Sequence, residues 1–351
     1  MSSGGDHPER LSFGQAVSAA GLITAGAVLS GQAWRRLHGP HFDLVGSTVV
    51  ITGGSRGLGF ELAREFGERG ARLALLARTP DELAFAAARL RDRGVDAITV
   101  PCDVRDPAQV THAVGRVIDW SGRVDVLVNN AGVITIAPLD HTPVEDYQQS
   151  LQTHFWAPYH MARACLPHMR RLGRGRILNI SSIGGRIGVP HLAAYSAGKF
   201  ALAGWSQALR TALAHEHILV TTATPGLMRT GSHVRAVIRG RHRAEARWFG
   251  ASMLTPVTSM RAPRAARQIV DACLAGRAHV TPGIQARAAE ILQGVAPGAV
   301  AWAGALATRL ALPHAAPGDA AASVPRRAAD VGFGWIEPLL PVDPADRRVR
   351  A

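Results

Sequence analysis

The sequence predicts an α/β fold, a doubly wound parallel sheet with helices on both faces. Three observations carry that expectation. Short, near-continuous apolar runs recur along the chain from residue 47, helical stretches separate them, and the first run enters a glycine-rich turn. Strands that read as unbroken apolar runs are buried on both faces, so helices must cover the sheet above and below.

The elements follow in order. "STVVIT" (47–52) is an apolar run with β-branched residues, and "GFELAREFGERG" after it reads as a helix that stops at Gly70. "ARLALLA" (71–77) is the second strand. "TPDEL" (79–83) reads as a helix start, with Thr79 capping, Pro80 at the first position and Glu82 completing a capping box. "DAITVPCD" (96–103), "RVDVLVNN" (123–130), "GRILNIS" (175–181) and "ILVTTATPG" (218–226) supply four more strands. "TPVE" (142–145) is a second capping box, opening a long helix that contains Pro158 and Pro167. "SHVRAVIRGRHRAEARWF" is basic and lies where the sheet order needs a crossover. "APRAARQIVDACLAG" (262–276) reads as an amphipathic helix and "AHVT" as a final strand. These signals divide the chain into an extension (1–45), one sheet domain (46–282) and an Ala/Pro-rich extension (283–351) with an apolar patch at 298–312. The last forty or so residues give no clear signal.

The chain is 47% hydrophobic and 19% charged, which suits a sizeable core and argues against disorder. Its formal net charge is +13, yet the arginines are dispersed and no zinc-finger, RRM or basic-zipper pattern appears. Nucleic-acid binding is therefore not expected. Cys102, Cys165 and Cys273 lie far apart with no CxxC pair, which fits a reducing, cytoplasmic compartment. "HEH" at 215–217 lacks metal-ligand spacing, so no metal is expected. Residues 14–34 are almost uncharged and long enough to cross a bilayer, but rich in Ala, Gly and Ser. They are read either as an anchor at a membrane surface or as a helix packed on the domain or a partner subunit. Arg35 and Arg36 would keep the main domain on the cytoplasmic side of an inserted segment.

"TGGSRGLG" (52–59) places glycines at 53, 57 and 59 between a strand and a helix. There the chain turns tightly, lets a pyrophosphate approach the backbone, and offers it the N–H groups and positive dipole of the helix N-terminus. A dinucleotide fold using NAD usually carries an acid at the end of its second strand. Here that strand ends "LLARTP", with Ala77 at the acidic position and Arg78 next. A basic residue there favours a 2′-phosphate, and Arg56 in the turn can reach the same group. The expected cofactor is NADP(H).

Of 39 lysines and arginines only one, Lys199, is lysine. It stands four residues after Tyr195, one helical turn away on the same face. Lysine is a compact, tunable charge where arginine is a planar fork. A phenol above a solitary amine points to acid–base chemistry.

The glycine turn, "NNAG" (129–132), "SS" (181–182), "YSAGK" (195–199) and "PGLMRT" (225–230) together resemble the short-chain dehydrogenases/reductases over about residues 46 to 280. The resemblance implies a Rossmann-type fold and hydride transfer between nicotinamide and a ketone or secondary alcohol. It implies that Gly53, Ser55, Arg56, Gly57, Leu58 and Gly59 hold the cofactor, with Asp103 and Val104 at the adenine. Asn130, Ala131 and Gly132 would shape the adenine side of the pocket, and Pro225, Gly226 and Thr230 would line the nicotinamide. Ser182, thirteen residues before Tyr195, would hold the substrate oxygen. Tyr195 would transfer the proton, and Lys199 would hold the ribose hydroxyls. A free phenol has a pKa of about 10, and a cation one turn away is expected to lower the cost of ionising it.

One position departs from the pattern. The family's fourth catalytic residue is an asparagine 28 residues before the serine, and His154 stands there. A neutral imidazole both donates and accepts, so it can hold the same water beside Lys199. It is also larger and can break that relay, which motivates an alternative reading as a non-catalytic NADP(H)-binding sensor or scaffold. The expected partners are a small carbonyl or alcohol substrate, lipophilic or acyl-bearing, and further copies of the chain in a homo-oligomer.

Overall fold

The computed structural model describes residues 42–231, 235–254, 259–314 and 319–331 of the chain. The apolar stretch at 14–34 lies outside them.

Strands and helices alternate from the start: β1 (Thr48–Thr52), α1 (Gly57–Gly67), β2 (Arg72–Ala77), α2 (Pro80–Arg91), β3 (Ala97–Pro101), α3 (Pro107–Ser121) and β4 (Val126–Asn129). After a short β5 (Thr135–Ile136) come α4 (Val144–Leu151), a π-helical turn (Gln152–Trp156) and α5 (Ala157–Arg171). Next are β6 (Gly175–Ile180), α6 (Ala193–Ala212), β7 (Ile218–Ala223), β8 (Leu227–Arg229) and β9 (Val237–Ile238). The chain continues through α7 (His242–Leu254), β10 (Ser259–Arg261), α8 (Ala262–Leu274) and β11 (His279–Val280).

The main sheet has seven parallel strands in the order β11-β7-β6-β4-β1-β2-β3. From β1 the chain winds outward to β3, then returns to β4 on the other side of β1 and winds outward again. The order reverses between β1 and β4, and ligands of open α/β sheets bind beyond the carboxyl ends of the strands at that point. Helices α1, α2 and α8 pack together on one face, and α3, α5 and α6 cover the other. Val49, Val50 and Ile51 of β1 and Leu73 to Leu76 of β2 are fully buried, as unbroken apolar strands require.

Both capping boxes fail, for different reasons. Thr79 is the N-cap of α2 and Pro80 takes the first position, but the Thr79 side chain makes no cap hydrogen bond and Glu82 turns into the fold. The second helix starts at Val144, and Thr142 donates its hydroxyl to the carbonyl of Pro138 instead. The long helix with Pro158 and Pro167 is present but broken by the π turn, whose wider winding admits Pro158 at the start of α5.

The described residues beyond β11 include three further α-helices. Helices α9 (Ile284–Val295) and α10 (Pro297–Ala311) meet at a bend of 119°. Ile284, Ile291, Val295, Trp302 and Leu310 on them are exposed. No single helix among the described residues is long and apolar enough to cross a membrane. A short α11 (Ala320–Ser323) leads to β12 (Arg326–Arg327), which pairs antiparallel with β9 while β9 pairs parallel with β5.

Candidate active site

A cleft of about 520 Å3 opens at the sheet reversal, lined by the glycine turn at one side and the Tyr195–Lys199 helix at the other. Gly53 (φ 65°) and Gly57 (φ 54°) adopt the left-handed conformation that favours glycine. At Gly59 the constraint is space: a Cβ there would stand 2.0 Å from the Gly53 carbonyl oxygen and 2.5 Å from Asn130 Nδ2. Asn130 locks the turn, donating from Nδ2 to the carbonyls of Thr52 (3.0 Å) and Gly53 (3.1 Å). Thr52 Oγ1 in return accepts from the backbone N–H groups of Asn130 (3.0 Å) and Ala131 (3.1 Å). No side chain caps α1, so its first N–H groups face the cleft together with Ser55 and Leu58. Thr230 lies over Gly57, its Cβ 3.5 Å from where a Cβ of that glycine would stand.

At the far end, Arg78 is exposed on the cleft wall, and Val104 is buried beside Asp103. Arg105 grips Asp103, with Nε 2.9 Å from Oδ1, and that hydrogen bond holds the Asp103 carboxyl below its ordinary range. Glu82, read from sequence as part of a cap, is instead a buried carboxylate of the cleft. It accepts from Ser55 Oγ at 3.3 Å, pairs with Arg56 Nη1 at 3.5 Å, and takes a short hydrogen bond from Arg235. The capping pattern hid this role, and Arg235 lay in a basic stretch with no distinguishing signal.

A buried polar chain sets the register of α6 on the sheet. Asn129 Nδ2 donates to Asn179 Oδ1 (2.8 Å), Asn179 Nδ2 donates to Ser206 Oγ (3.0 Å), and Thr222 Oγ1 donates to the same oxygen (2.7 Å). These buried bonds favour one arrangement, because a slip would leave their donors unpaired. The register brings Tyr195 beside Ser182, and their hydroxyls are hydrogen-bonded. Ser182 Oγ accepts from the N–H of Gly184 at 3.0 Å, and Ile183 N–H donates to the carbonyl of Pro225 at 2.9 Å. Ser182 is thereby fixed against the Pro225–Gly226 wall, where a Cβ on Gly226 would meet Ala286 of α9 at 3.0 Å.

Lys199 is buried, and its Nζ donates to the carbonyl of Ile180 at 2.8 Å. Burial lowers its pKa to about 7. Nζ stands 5.8 Å from the centre of the Tyr195 ring. Burial pushes the Tyr195 phenol up, opposed by the Ser182 hydrogen bond. The expected lowering by the lysine does not appear in the cofactor-free chain, because burial makes Lys199 neutral above about pH 7, well before a buried phenol ionises.

His154 sits in the π turn, fully enclosed, edge-on to Tyr195 with ring centres 5.3 Å apart. Its Nε2 accepts from the backbone N–H of Val133 at 3.2 Å, so Nδ1 carries the proton and donates to Ser150 Oγ at 3.1 Å. Burial first, then the Lys199 charge, holds its pKa well below 6.5. Both ring nitrogens thus have protein partners. Neither Ser150 nor the Val133 amide was legible as a partner before the fold was known. Gly132 and Gly198 make room for the ring, since a Cβ on either would approach it to 3.1 Å and 2.9 Å.

The residues fit a dinucleotide: a backbone cradle that a single Cβ would fill, open N–H groups at a helix N-terminus, and arginines beyond. The comparisons with known proteins agree. The family model described as short chain dehydrogenase matches residues 47–237. The 11-beta-hydroxysteroid dehydrogenase A of Sesamum indicum is 32% identical over 243 residues, covering 68% of this chain and 69% of that protein. The 3-ketodihydrosphingosine reductase of Bacteroides thetaiotaomicron is 37% identical over 183 residues, covering 52% of this chain and 64% of that protein. Among solved structures, L-sorbose reductase from Gluconobacter frateurii complexed with NADPH and L-sorbose superposes with a TM-score of 0.62 at 28% identity, covering 70% of this chain and 99% of that one. A protein from Burkholderia phymatum in complex with NAD gives a TM-score of 0.67 at 23% identity over 74% of this chain and 96% of its own, which speaks to the fold. The glycine turn, the serine–tyrosine–lysine set and the matched model together make this chain an oxidoreductase of the short-chain dehydrogenase family.

Proposed function

We propose that the protein transfers hydride between NADP(H) and a ketone or secondary alcohol. The observation that carries this is the convergence of Ser182, Tyr195 and Lys199 on one wall of the cleft whose other wall is the glycine turn. When bound, the nicotinamide supplies or accepts the hydride. The protein's part is to hold and move a proton. In the reducing direction the Ser182 hydroxyl orients the carbonyl oxygen, and the Tyr195 hydroxyl delivers a proton to it as the hydride reaches the carbon. The phenolate left behind is stabilised by Lys199 in its ammonium form, and the carbonyl of Ile180 holds that ammonium in place.

Arg78 on the cleft wall, with Ala77 where an acid would hold a ribose hydroxyl, supports preference for the 2′-phosphorylated cofactor. Arg56 is shared with Glu82, so the larger part of that preference rests on Arg78. The names of the 3-ketodihydrosphingosine reductase and 11-beta-hydroxysteroid dehydrogenase relatives support a lipophilic carbonyl, and the exposed apolar residues of helices α9 and α10 support contact with a membrane surface. Exposed Trp156 and Phe200 support assembly of several copies, and the buried, free cysteines support a reducing, cytoplasmic setting.

Incubation with NADPH or NADH and a panel of acyl, steroid and sugar ketones, read by loss of the reduced-nicotinamide absorbance, tests the proposal. Turnover of at least one ketone with NADPH is expected. Tight NADPH binding with no turnover across the panel would favour the sensor or scaffold reading.

A further inference from the structure

Arg327 lies ninety residues beyond the matched family region, yet it lines the dinucleotide cleft. The segment that brings it there is built into the fold. Asp319 caps α11 by accepting from Ala321 N (2.9 Å) and Ala322 N (3.3 Å). The carbonyl of Ala322 accepts from Gly240 N at 2.7 Å, and Ser323 Oγ meets His141 Nδ1 at 3.1 Å. Ala328 N–H donates to Ala236 at 2.9 Å. Ala328 and Val331 are buried in a cluster with Ile136, Ile238 and Phe249, against which Tyr195 packs. The segment is a strap fastened on both sides of its strand.

Strand pairing decides where its arginines point. Arg327 stands opposite Val237 and Arg326 opposite Ile238. Directly opposed residues project to the same face, and neighbours project to opposite faces. Val237 lines the dinucleotide cleft, and so does Arg327. Arg326 lines a separate hollow with Asp330 and Arg243. Two residues before Val237, Arg235 is tied to Glu82 and through it to Ser55 of the glycine turn. The strap therefore lies along β9, whose neighbouring Arg235 reaches the glycine-turn side of the cleft.

The charges there do not balance. The cleft is lined by Arg56, Arg78, Arg105, Arg235, Arg327 and Lys199, against the carboxylates Glu82 and Asp103. Glu82 is shared by Arg56 and Arg235, and Asp103 is held by Arg105. No described carboxylate pairs with Arg327. An exposed guanidinium carried by a strand onto the wall of a cationic cleft is suited to a phosphate, which it can meet with two parallel hydrogen bonds.

We propose that Arg327 is a phosphate-binding residue of the dinucleotide cleft, delivered by the C-terminal strap. The proposal rests on the reading of the cleft as an NADP(H) site. Its test is equilibrium titration of the full chain with NADPH and with NADH, followed by fluorescence or calorimetry, alongside thermal melting. Arg327→Ala is expected to weaken NADPH binding about tenfold, the effect of one charge-assisted contact. Arg327→Lys should recover part of that loss, and Arg326→Ala should bind as the unaltered protein does. A loss confined to NADPH assigns the contact to the 2′-phosphate, and an equal loss for NADH assigns it to the diphosphate. Wild-type affinity for both dinucleotides in a folded Arg327→Ala protein overturns the proposal, as does an equal loss in Arg326→Ala. If the unaltered protein binds neither dinucleotide, the reading of the cleft itself fails.

Discussion

The Nζ of Lys199 is hydrogen-bonded to the carbonyl oxygen of Ile180, 2.8 Å away at the end of β6. One strand carbonyl thus fixes the only lysine of the chain one turn below Tyr195. A guanidinium is too broad for that enclosed position and holds its proton permanently, whereas this ammonium titrates at about 7. Lys199→Arg should therefore lose most turnover despite preserving charge, and near-normal turnover would show that the amine is not specifically required.

The same burial has a consequence for stability. Lysine titrates at 10.5 when free and at about 7 in the folded chain. Between those values the unfolded chain binds the extra proton, so stability from this residue rises with pH, by about 1.4 kcal/mol per unit. Above pH 9 the ionising cysteines act the other way, because burial pushes the thiols of Cys102, Cys165 and Cys273 up to between about 11 and 12. Melting temperatures of the cofactor-free protein should rise from pH 7 to 9, and Lys199→Met should flatten that rise. An identical slope in both proteins would contradict the assignment.

His154 acts in the acid range. Its folded pKa lies well below 6.5, so as pH falls below 6.5 the unfolded chain takes up a proton that the folded one refuses, and stability is lost. His154→Asn should remove that acid loss and keep turnover, because an amide can accept from Val133 and donate to Ser150. His154→Ala leaves the Val133 amide without its acceptor and should cost about 1–3 kcal/mol. Unfolding curves at pH 5 to 8 check both, and an unchanged acid limb in the asparagine variant would count against this role.

Gly59→Ala tests the cradle. Its Cβ would stand 2.0 Å from a backbone oxygen, so the turn must move. A loss of about 1–3 kcal/mol is expected from overpacking, with NADPH affinity falling as the N–H groups shift. Retained affinity, measured by titration, would place the cofactor elsewhere.

Much of this was legible in the sequence, for identifiable reasons. Five of the main strands announce themselves because they are buried on both faces, the half-buried edge strand β3 follows from its place in the alternation, and Tyr195 and Lys199 stand out because helical spacing alone puts them together. Glu82 was misread because "TPDEL" satisfies a local capping pattern, while its carboxylate is claimed by Arg235, 153 positions away. The neighbours of His154 were hidden because the π turn and the Val133 loop meet only in the folded chain. Arg327 was invisible for the same reason: two residues of strand carry no periodicity, and their meaning lies in their pairing with β9.

Arg78→Asp addresses cofactor choice. It replaces the exposed cation of the cleft wall with the acid that a ribose hydroxyl prefers. NADPH affinity should fall about tenfold relative to NADH. Calorimetric affinities that keep their ratio would show that Arg78 does not read the 2′-phosphate.

The most direct test of the account is Tyr195→Phe, measured twice on the same preparation, once for NADPH binding and once for ketone turnover. Removing the hydroxyl keeps the ring that packs beside His154 and takes away both the transferable proton and the oxygen that Ser182 hydrogen-bonds. The account predicts NADPH affinity within about twofold of the unaltered protein and turnover reduced by at least about a hundredfold, the lower end of a general acid's contribution. A phenylalanine variant that reduces the ketone at the unaltered rate would contradict it.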